Sequence, residues 1–527
     1  MMPVLPAGER DMSTRCLGAV VGVLGWLAGS GGAPSVAAAE ERAAVAVRAG
    51  FAERDVSPAV GDEAPGGYGK AKHAAFHDAC KARAAVFDDG RDAVAVVGLD
   101  ALLIRRPTVA EARRRITERT GIPGDHVLVA ASHTHAGGPT GMILPGEYDD
   151  ASDLVRSLAY DKTVIASPEY LERVVQGIVD AVAEAHDRRS DMKLAAGFGD
   201  APGVAFNRRF RMRAGYTMTH PGVGNPDILG PAGGVDPQVG VLGGWSLDGR
   251  LVGCVVNFAC HATTGPGGIS ADYVHYIERT IRGACGDDVV VVFTAGMAGD
   301  VTQVDNRTPF ALTQFGEGAA RRLGGTVGAA AVTTLLRIEP TAGRDMPVAA
   351  RSRELAIPRR RPRPERVAMA AELVQKDPAG VDGTEWTFAK ELVLLDHRLA
   401  REPVAPVEVQ AVQVGPAVFL CSPAEYFVGY GLELKEAGPF PFTFPVSLAN
   451  DCVGYVPTEE AFAPDGGGYE TRLTSYSNLV TGAGRTIAGT LVDLARGLTP
   501  GPVPEPPPAA EFRGQPWSYG NLPPELN

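Results

Sequence analysis

The order of apolar and polar positions divides the chain into alternating strands and helices. Val45 to Phe51 reads as a first strand. Ala82 to Phe87 and Asp92 to Leu99 read as a hairpin, because apolar runs flank the turn signal Asp88-Asp89-Gly90. Helical spacing over Thr108 to Thr120 leads to a buried apolar run, Val127-Leu128-Val129-Ala130, which predicts another strand. Ser167 to His186 places Tyr170, Val174, Ile178 and Val182 on one helix face. Lys193 to Phe198, Leu251 to Phe258 and Val289 to Phe293 predict further strands. The last two are joined by a helix over Asp272 to Ala284, a strand–helix–strand unit of the kind that makes parallel sheets. Thr313 to Leu335 predicts a buried helix, and the proline-rich stretch 340–384 a bridge with one helix near 365–375. Val407 to Val414 and Ala417 to Cys421 predict a hairpin about Gly415-Pro416, after which Pro423 is placed to open a helix. Pro445 to Ala449 predicts a strand and Leu479 to Leu498 the last helix. Gly66-Gly67-Tyr68-Gly69 reads as a plain turn, and the Gly- and Pro-rich stretch 212–235 as a long surface excursion near a pocket. The expected fold class is α/β, a mixed, largely parallel β-sheet core flanked by helices in a single large domain over 40–498. A Pro-rich tail follows over 499–527.

Composition narrows the partners. The 527 residues are 45% hydrophobic and 21% charged, and the net charge of −12 argues against nucleic acid or an anionic membrane surface as the main partner. Arg15 precedes the apolar run Leu17 to Ala28, with small residues at Ala37-Ala38-Ala39, which predicts a signal peptide over 1–39 and an exported protein, periplasmic or secreted. The run is too short for a permanent bilayer span. Removal of that leader takes Cys16 and leaves Cys80, Cys254, Cys260, Cys285, Cys421 and Cys452. None forms a Cys-x-x-Cys pair, which argues against a thiolate zinc site. Disulfides and buried free thiols both remain open.

The stretch Ala131-Ser132-His133-Thr134-His135-Ala136-Gly137-Gly138-Pro139 carries the first candidate chemistry. Side chains two apart on an extended backbone point the same way, so His133 and His135 face one side where the strand stops. Two converging imidazoles suit a metal, or one ligand beside a proton-transfer group; a pair of surface histidines is the plain alternative. Other predicted strands also end in polar residues, among them Asp100, Asn207, His261, Asp300, Glu425 and Tyr455. Open α/β sheets gather ligands outside the carboxyl ends of their strands, so one gathered site is expected.

Six motifs add a resemblance. Ser132-His133-Thr134-His135-Ala136-Gly137-Gly138-Pro139, Asn257-Phe258-Ala259-Cys260-His261, Gly299-Asp300-Val301-Thr302, Pro423-Ala424-Glu425-Tyr426, Gly454-Tyr455-Val456-Pro457-Thr458-Glu459-Glu460 and Gly468-Tyr469-Glu470 occur in this order. In them the chain resembles the neutral, non-lysosomal ceramidase family, zinc amidases that cleave the N-acyl bond of ceramides. The resemblance implies Zn2+ held by His133, His261, Glu425 and Tyr455. It implies His135 as proton carrier and oxyanion support, Tyr469 and Arg208 as groups on the reacting carbonyl, and the Thr302 hydroxyl where the family has serine. Asp100, Asn257, Asp272 and Asp300 are then expected to orient the ligands. The implied reaction is hydrolysis of an N-acyl amide, in a small molecule or a lipid met at a membrane surface, by a zinc-activated water.

The chain also departs from the family. Thr302-Gln303-Val304 replaces Ser-Pro-Asn, Arg209-Phe210 replaces Ser-Pro after Asn207-Arg208, and no counterpart of the C-terminal β-sandwich is expected in the 499–527 tail. The metal chemistry is retained while the walls around a lipid chain are altered. Two alternatives follow: a zinc hydrolase of a non-lipid amide, ester or lactone, and a secreted binding protein without catalysis.

Overall fold

A computed structural model describes residues 47–308, 313–342, 346–503, 511–514, 519 and 522–527; the leader expected over 1–39 lies outside the described residues. Strands β1 (Arg48–Asp55), β2 (Lys81–Asp88), β3 (Ala93–Leu99), β4 (Val127–Ala131), β5 (Ser190–Asp200), β6 (Gln238–Ser246), β7 (Leu251–Phe258) and β8 (Val290–Ala295) form a mixed sheet. Their order is β8-β7-β6-β5-β1-β2-β3-β4. The β2–β3 hairpin forms because Asp88 Oδ1 accepts from the Gly90 N–H, and Asp89 Oδ1 from those of Arg91 and Asp92. Parallel pairing is confined to β3/β4 and β7/β8, at the two ends of the sheet, and every pair between them is antiparallel. The sheet is therefore mixed as expected but less parallel than expected. Tight turns join β2 to β3 and β6 to β7, and only a helical crossover returns a strand in parallel.

Helices α1 (Arg106–Thr120) and α2 (Pro168–Asp187) cover one end of the sheet, where Val109, Ile116, Val174 and Ile178 pack on Ala84, Val97 and Val129. Ser167 starts α2 by accepting the Tyr170 N–H, with Pro168 at the first helical position. Helices α3 (Tyr273–Cys285) and α4 (Glu317–Leu335) cover the other end, with Ile277, Leu323 and Val327 against Val256 and Phe293. The sheet curls until β8 lies over β3. Gly98 permits this closure, since a Cβ there would stand 2.2 Å from the Phe293 carbonyl oxygen.

A second sheet, β9 (Val348–Pro358), β10 (Val404–Val414), β11 (Ala417–Cys421) and β12 (Phe442–Val446), packs on the first through Val412, Phe419 and Phe444 against Phe51, Leu194 and Leu242. Only its β11/β12 pair is parallel. Of α5 (Gly383–Arg401), α6 (Val428–Ala437) and α7 (Ala483–Arg496), the last two cover its outer face with Leu434, Ile487 and Leu491.

Pro423 does not open a helix. Glu425–Tyr426 instead pairs in parallel with Tyr455–Val456, the Glu425 N–H bonding the Gly454 carbonyl at 2.9 Å, and α6 begins only at Val428. The 212–235 excursion is ordered too, into a small sheet of Arg209–Met212, Thr217–Thr219 and Ile228–Pro231. The six cysteines among the described residues are unpaired. Among the described residues no helix is long and apolar enough to cross a membrane.

Candidate metal centre

The parallel pairs β3/β4, β7/β8 and β11/β12 are each followed in the chain by at least one polar side chain of the centre. His133 follows β4, His261 follows β7, Glu425 follows β11 and Tyr455 follows β12. All four are buried.

The two histidines of the His-x-His stretch converge, but not by strand alternation. β4 ends at Ala131, and His133 takes a left-handed backbone, φ 64°, a conformation that costs a side-chain-bearing residue about 1–2 kcal/mol. The turn brings the His135 and His133 Nε2 atoms to 3.4 Å. The His133 Nδ1–H donates to the Leu102 carbonyl at 2.8 Å, and the His261 Nδ1–H to the Ala298 carbonyl at 2.8 Å. A carbonyl only accepts, so each ring carries its proton on Nδ1 and a neutral ring turns an Nε2 lone pair inward. Those lone pairs meet Glu425 Oε2, 3.2 Å from His133 Nε2 and 3.0 Å from His261 Nε2. Burial first, then the Arg208 charge, lowers the His261 pKa to about 3, so this ring is neutral at pH 7.

A carboxylate aimed at imidazole lone pairs is repulsive unless a cation joins them, and Arg208, whose Nη1 donates to His261 Nε2 at 3.2 Å, supplies one on the His261 side only. Tyr455 Oη, 3.5 Å from His261 Nε2, brings a further donor atom. Zinc bonds of 2.0–2.1 Å in a tetrahedron set ligand atoms about 3.3 Å apart, close to the 3.0–3.5 Å separations found here. His133, His261 and Glu425 are also the one His/Cys/Asp/Glu group among the described residues whose ligand atoms all lie within 4.8 Å. The donor set fits a zinc ion.

Around this set the structure brings together three more of the expected residues. Arg208 is buried, its Nε bonded to Glu470 Oε1 at 2.9 Å, its Nη2 to the Gly299 carbonyl at 2.7 Å and to Tyr469 Oη at 3.0 Å. Tyr469 Oη also lies 2.5 Å from Tyr455 Oη. Burial raises the Tyr469 pKa against the pull of Arg208. Burial above all lowers that of His135. His135 and Tyr469 keep part of their surface open, which marks the accessible side of the centre.

Thr302 is not joined to this group by a hydrogen bond among the described residues; its hydroxyl accepts the Val304 N–H at 3.3 Å. The four polar residues expected to orient ligands act elsewhere. Asp100 bonds Arg83, Asn257 bonds the Pro445 carbonyl across to the second sheet, Asp272 caps α3, and Asp300 ties Asn207 to the Val428 N–H. Backbone carbonyls and Tyr476 take their place, the Tyr476 hydroxyl donating to Glu425 Oε1 at 2.7 Å. No spacing marks Tyr476 in the sequence. The loop Gly66 to Gly69, expected as a plain turn, lies on the open face: a Cβ at Gly66 would be 2.5 Å from His135 Nδ1. Lys390 of α5 fixes that loop by donating to the Tyr68 carbonyl at 2.5 Å.

No family model matches the chain. Over 141 residues it is 29% identical to neutral ceramidase of Pseudomonas aeruginosa, a match that covers 27% of this chain and only 18% of that protein. A crystal structure of neutral ceramidase from Pseudomonas aeruginosa superposes with a TM-score of 0.63 at 20% identity, covering 88% of this chain and 77% of that one. A structure of ceramidase complexed with C2 gives 0.61 at 19% identity over the same shares.

Proposed function

We propose that this chain, neutral ceramidase-like in fold, is a zinc-dependent amidohydrolase that cleaves an N-acyl amide bond. The observation that carries the reading is the convergence of two Nε2 lone pairs and the Glu425 carboxylate on one buried point beside Tyr455. His133, His261, Glu425 and Tyr455 hold the ion in this reading. Bound zinc supplies Lewis-acid polarisation of the carbonyl and a water acidic enough to attack near neutral pH.

The chain's own groups supply the rest. Neutral at pH 7, His135 takes a proton at Nε2 from the attacking water and returns it to the leaving amine. Tyr469 keeps its phenolic proton and Arg208 its charge, and both donate to the carbonyl oxygen as negative charge develops there. Glu470 and the Gly299 carbonyl hold the Arg208 fork in place before substrate arrives. Thr302, occupied with Val304, has no part in this account.

The substrate class is a ceramide or another N-acyl compound. The test is hydrolysis of an N-acylsphingosine and of a short polar N-acyl amine by zinc-loaded protein, with His133→Ala as control. Release of fatty acid that depends on zinc and on His133 establishes the lipid substrate. Turnover of the short amide alone keeps the mechanism and replaces the substrate. Zinc-loaded protein that turns over neither compound removes the amidase reading and moves the search to esters and lactones.

A further inference from the structure

Helix α5 buries two neighbouring charges, Lys390 and Glu391, each 1% exposed, immediately before the apolar run Leu392-Val393-Leu394-Leu395. An apolar pair of similar size often serves a buried site as well or better, so stability does not account for these charges. Their polar atoms are fully engaged. Lys390 Nζ donates to the Tyr68 carbonyl at 2.5 Å, to Thr163 Oγ1 at 2.6 Å and to Glu391 Oε1 at 3.0 Å, which uses all three ammonium protons. Glu391 Oε2 accepts from the Ser475 hydroxyl at 2.5 Å.

The two charges lead to different sides of the metal centre. Tyr68 belongs to the loop whose Gly66 lies against the His135 ring. That ring makes its one hydrogen-bond contact among the described residues at Nε2, with His133, so packing against the loop fixes its other edge. Ser475 belongs to a turn in which the Ser477 N–H donates to Thr474 Oγ1 at 2.8 Å. The turn reaches two of the proposed ligands: Tyr476 Oη donates to Glu425 Oε1 at 2.7 Å, and Ser477 Oγ accepts from the Tyr455 N–H at 3.0 Å. Successive residues of a helix diverge by roughly 100°, so two adjacent positions on α5 can hold both segments at a fixed separation.

We propose that Lys390 and Glu391 are positioning residues for the reaction, Lys390 through the 66–69 loop against His135 and Glu391 through the 474–477 turn against Glu425 and Tyr455. The proposal rests on the hydrolase reading of the same centre. Its test compares three readouts on the full chain: kcat and KM for the amide that the parent hydrolyses, zinc affinity by chelator competition, and hydrogen exchange over 66–70 by mass spectrometry. Lys390→Met is expected to speed that exchange and to lower kcat, each more than threefold, while KM and zinc affinity stay within threefold. Ser475→Ala is expected to weaken zinc more than threefold and to leave the exchange within threefold. If Lys390→Met fails to fold, Lys390→Met/Glu391→Leu decides, since it removes both charges together and is expected to keep Tm while showing both losses. The proposal is overturned by loop exchange within threefold of the parent in the lysine variant, by zinc affinity within threefold in Ser475→Ala, or by both variants losing both properties alike, as a general loosening would produce. A parent that turns over no amide overturns the hydrolase reading, and exchange and zinc affinity still decide this one.

Discussion

His133 turns back through a left-handed backbone so that one ring nitrogen reaches the Leu102 carbonyl and the other faces Glu425. The ligand field at this scale rests on single hydrogen bonds, and the one to Glu425 comes from Tyr476. Tyr476→Phe keeps the ring and removes the donor, so zinc affinity, measured by chelator competition, is expected to fall 10- to 100-fold. Stability should fall by only about 1 kcal/mol, the net worth of one hydrogen bond. Gly66 is the corresponding point on the open face, at φ +111° and against the His135 ring. Gly66→Ala is expected to cut turnover at least tenfold while zinc affinity stays within threefold of the parent, because the Cβ displaces His135 and touches none of the proposed ligands.

Between elements, the buried join of the first sheet to α3 is ionic. Arg83 of β2 bonds Asp100 at 2.6 Å and Glu278 of α3 at 2.6 Å, and Lys81 adds a second cation to Glu278 at 2.7 Å. Burial would raise both carboxyls. Arg83 and Lys81 overcome it at Glu278, lowering its pKa to about 2, whereas Asp100, with only Arg83 for counter-charge, rises to about 6. Glu278 has the lower pKa in the folded state, so its stabilisation is complete above pH 4.5 and is lost as pH falls toward 2. That loss is on the order of 3 kcal/mol. Asp100 runs the other way, favouring the fold below its unfolded pKa and ceasing to do so as pH rises through about 6. In Glu278→Gln, the fall in Tm between pH 4.5 and 2 should be shallower than in the parent, from a lower value at pH 7.

The same scale shows what the residues announced. The β2–β3 hairpin, α2 and α3 were legible because period, turn and cap agreed. The strand β9 and helix α5 were not, since prolines between them read as a bridge, and α5 buries Lys390 and Glu391 beside its apolar residues. Pro423 suggested a helix that lost to pairing of Glu425 with Tyr455. The histidines and the glutamate announced themselves by residue type. The carbonyls of Leu102 and Ala298 that aim the rings could not, because a backbone acceptor has no residue signature.

Across the whole molecule the centre joins distant segments, His133 and His261 just after strands of the first sheet and Glu425 and Tyr455 in a two-stranded pair whose segments follow strands of the second. Zinc should therefore raise Tm with the logarithm of its free concentration above Kd, by about 4 kcal/mol of stability at a thousand times Kd. A chelator should reverse the shift, and His133→Ala should show none of it by differential scanning fluorimetry.

From His133 to Tyr455 the chain runs 322 positions (455 − 133). A contact that closes so long a loop forms late, after most of the ordering entropy has been spent. In the proposed reading the ion acts as a latch and not as a seed. Zinc should leave the refolding rate unchanged and slow unfolding, and a chain cut short before Tyr455 should never acquire that longer lifetime.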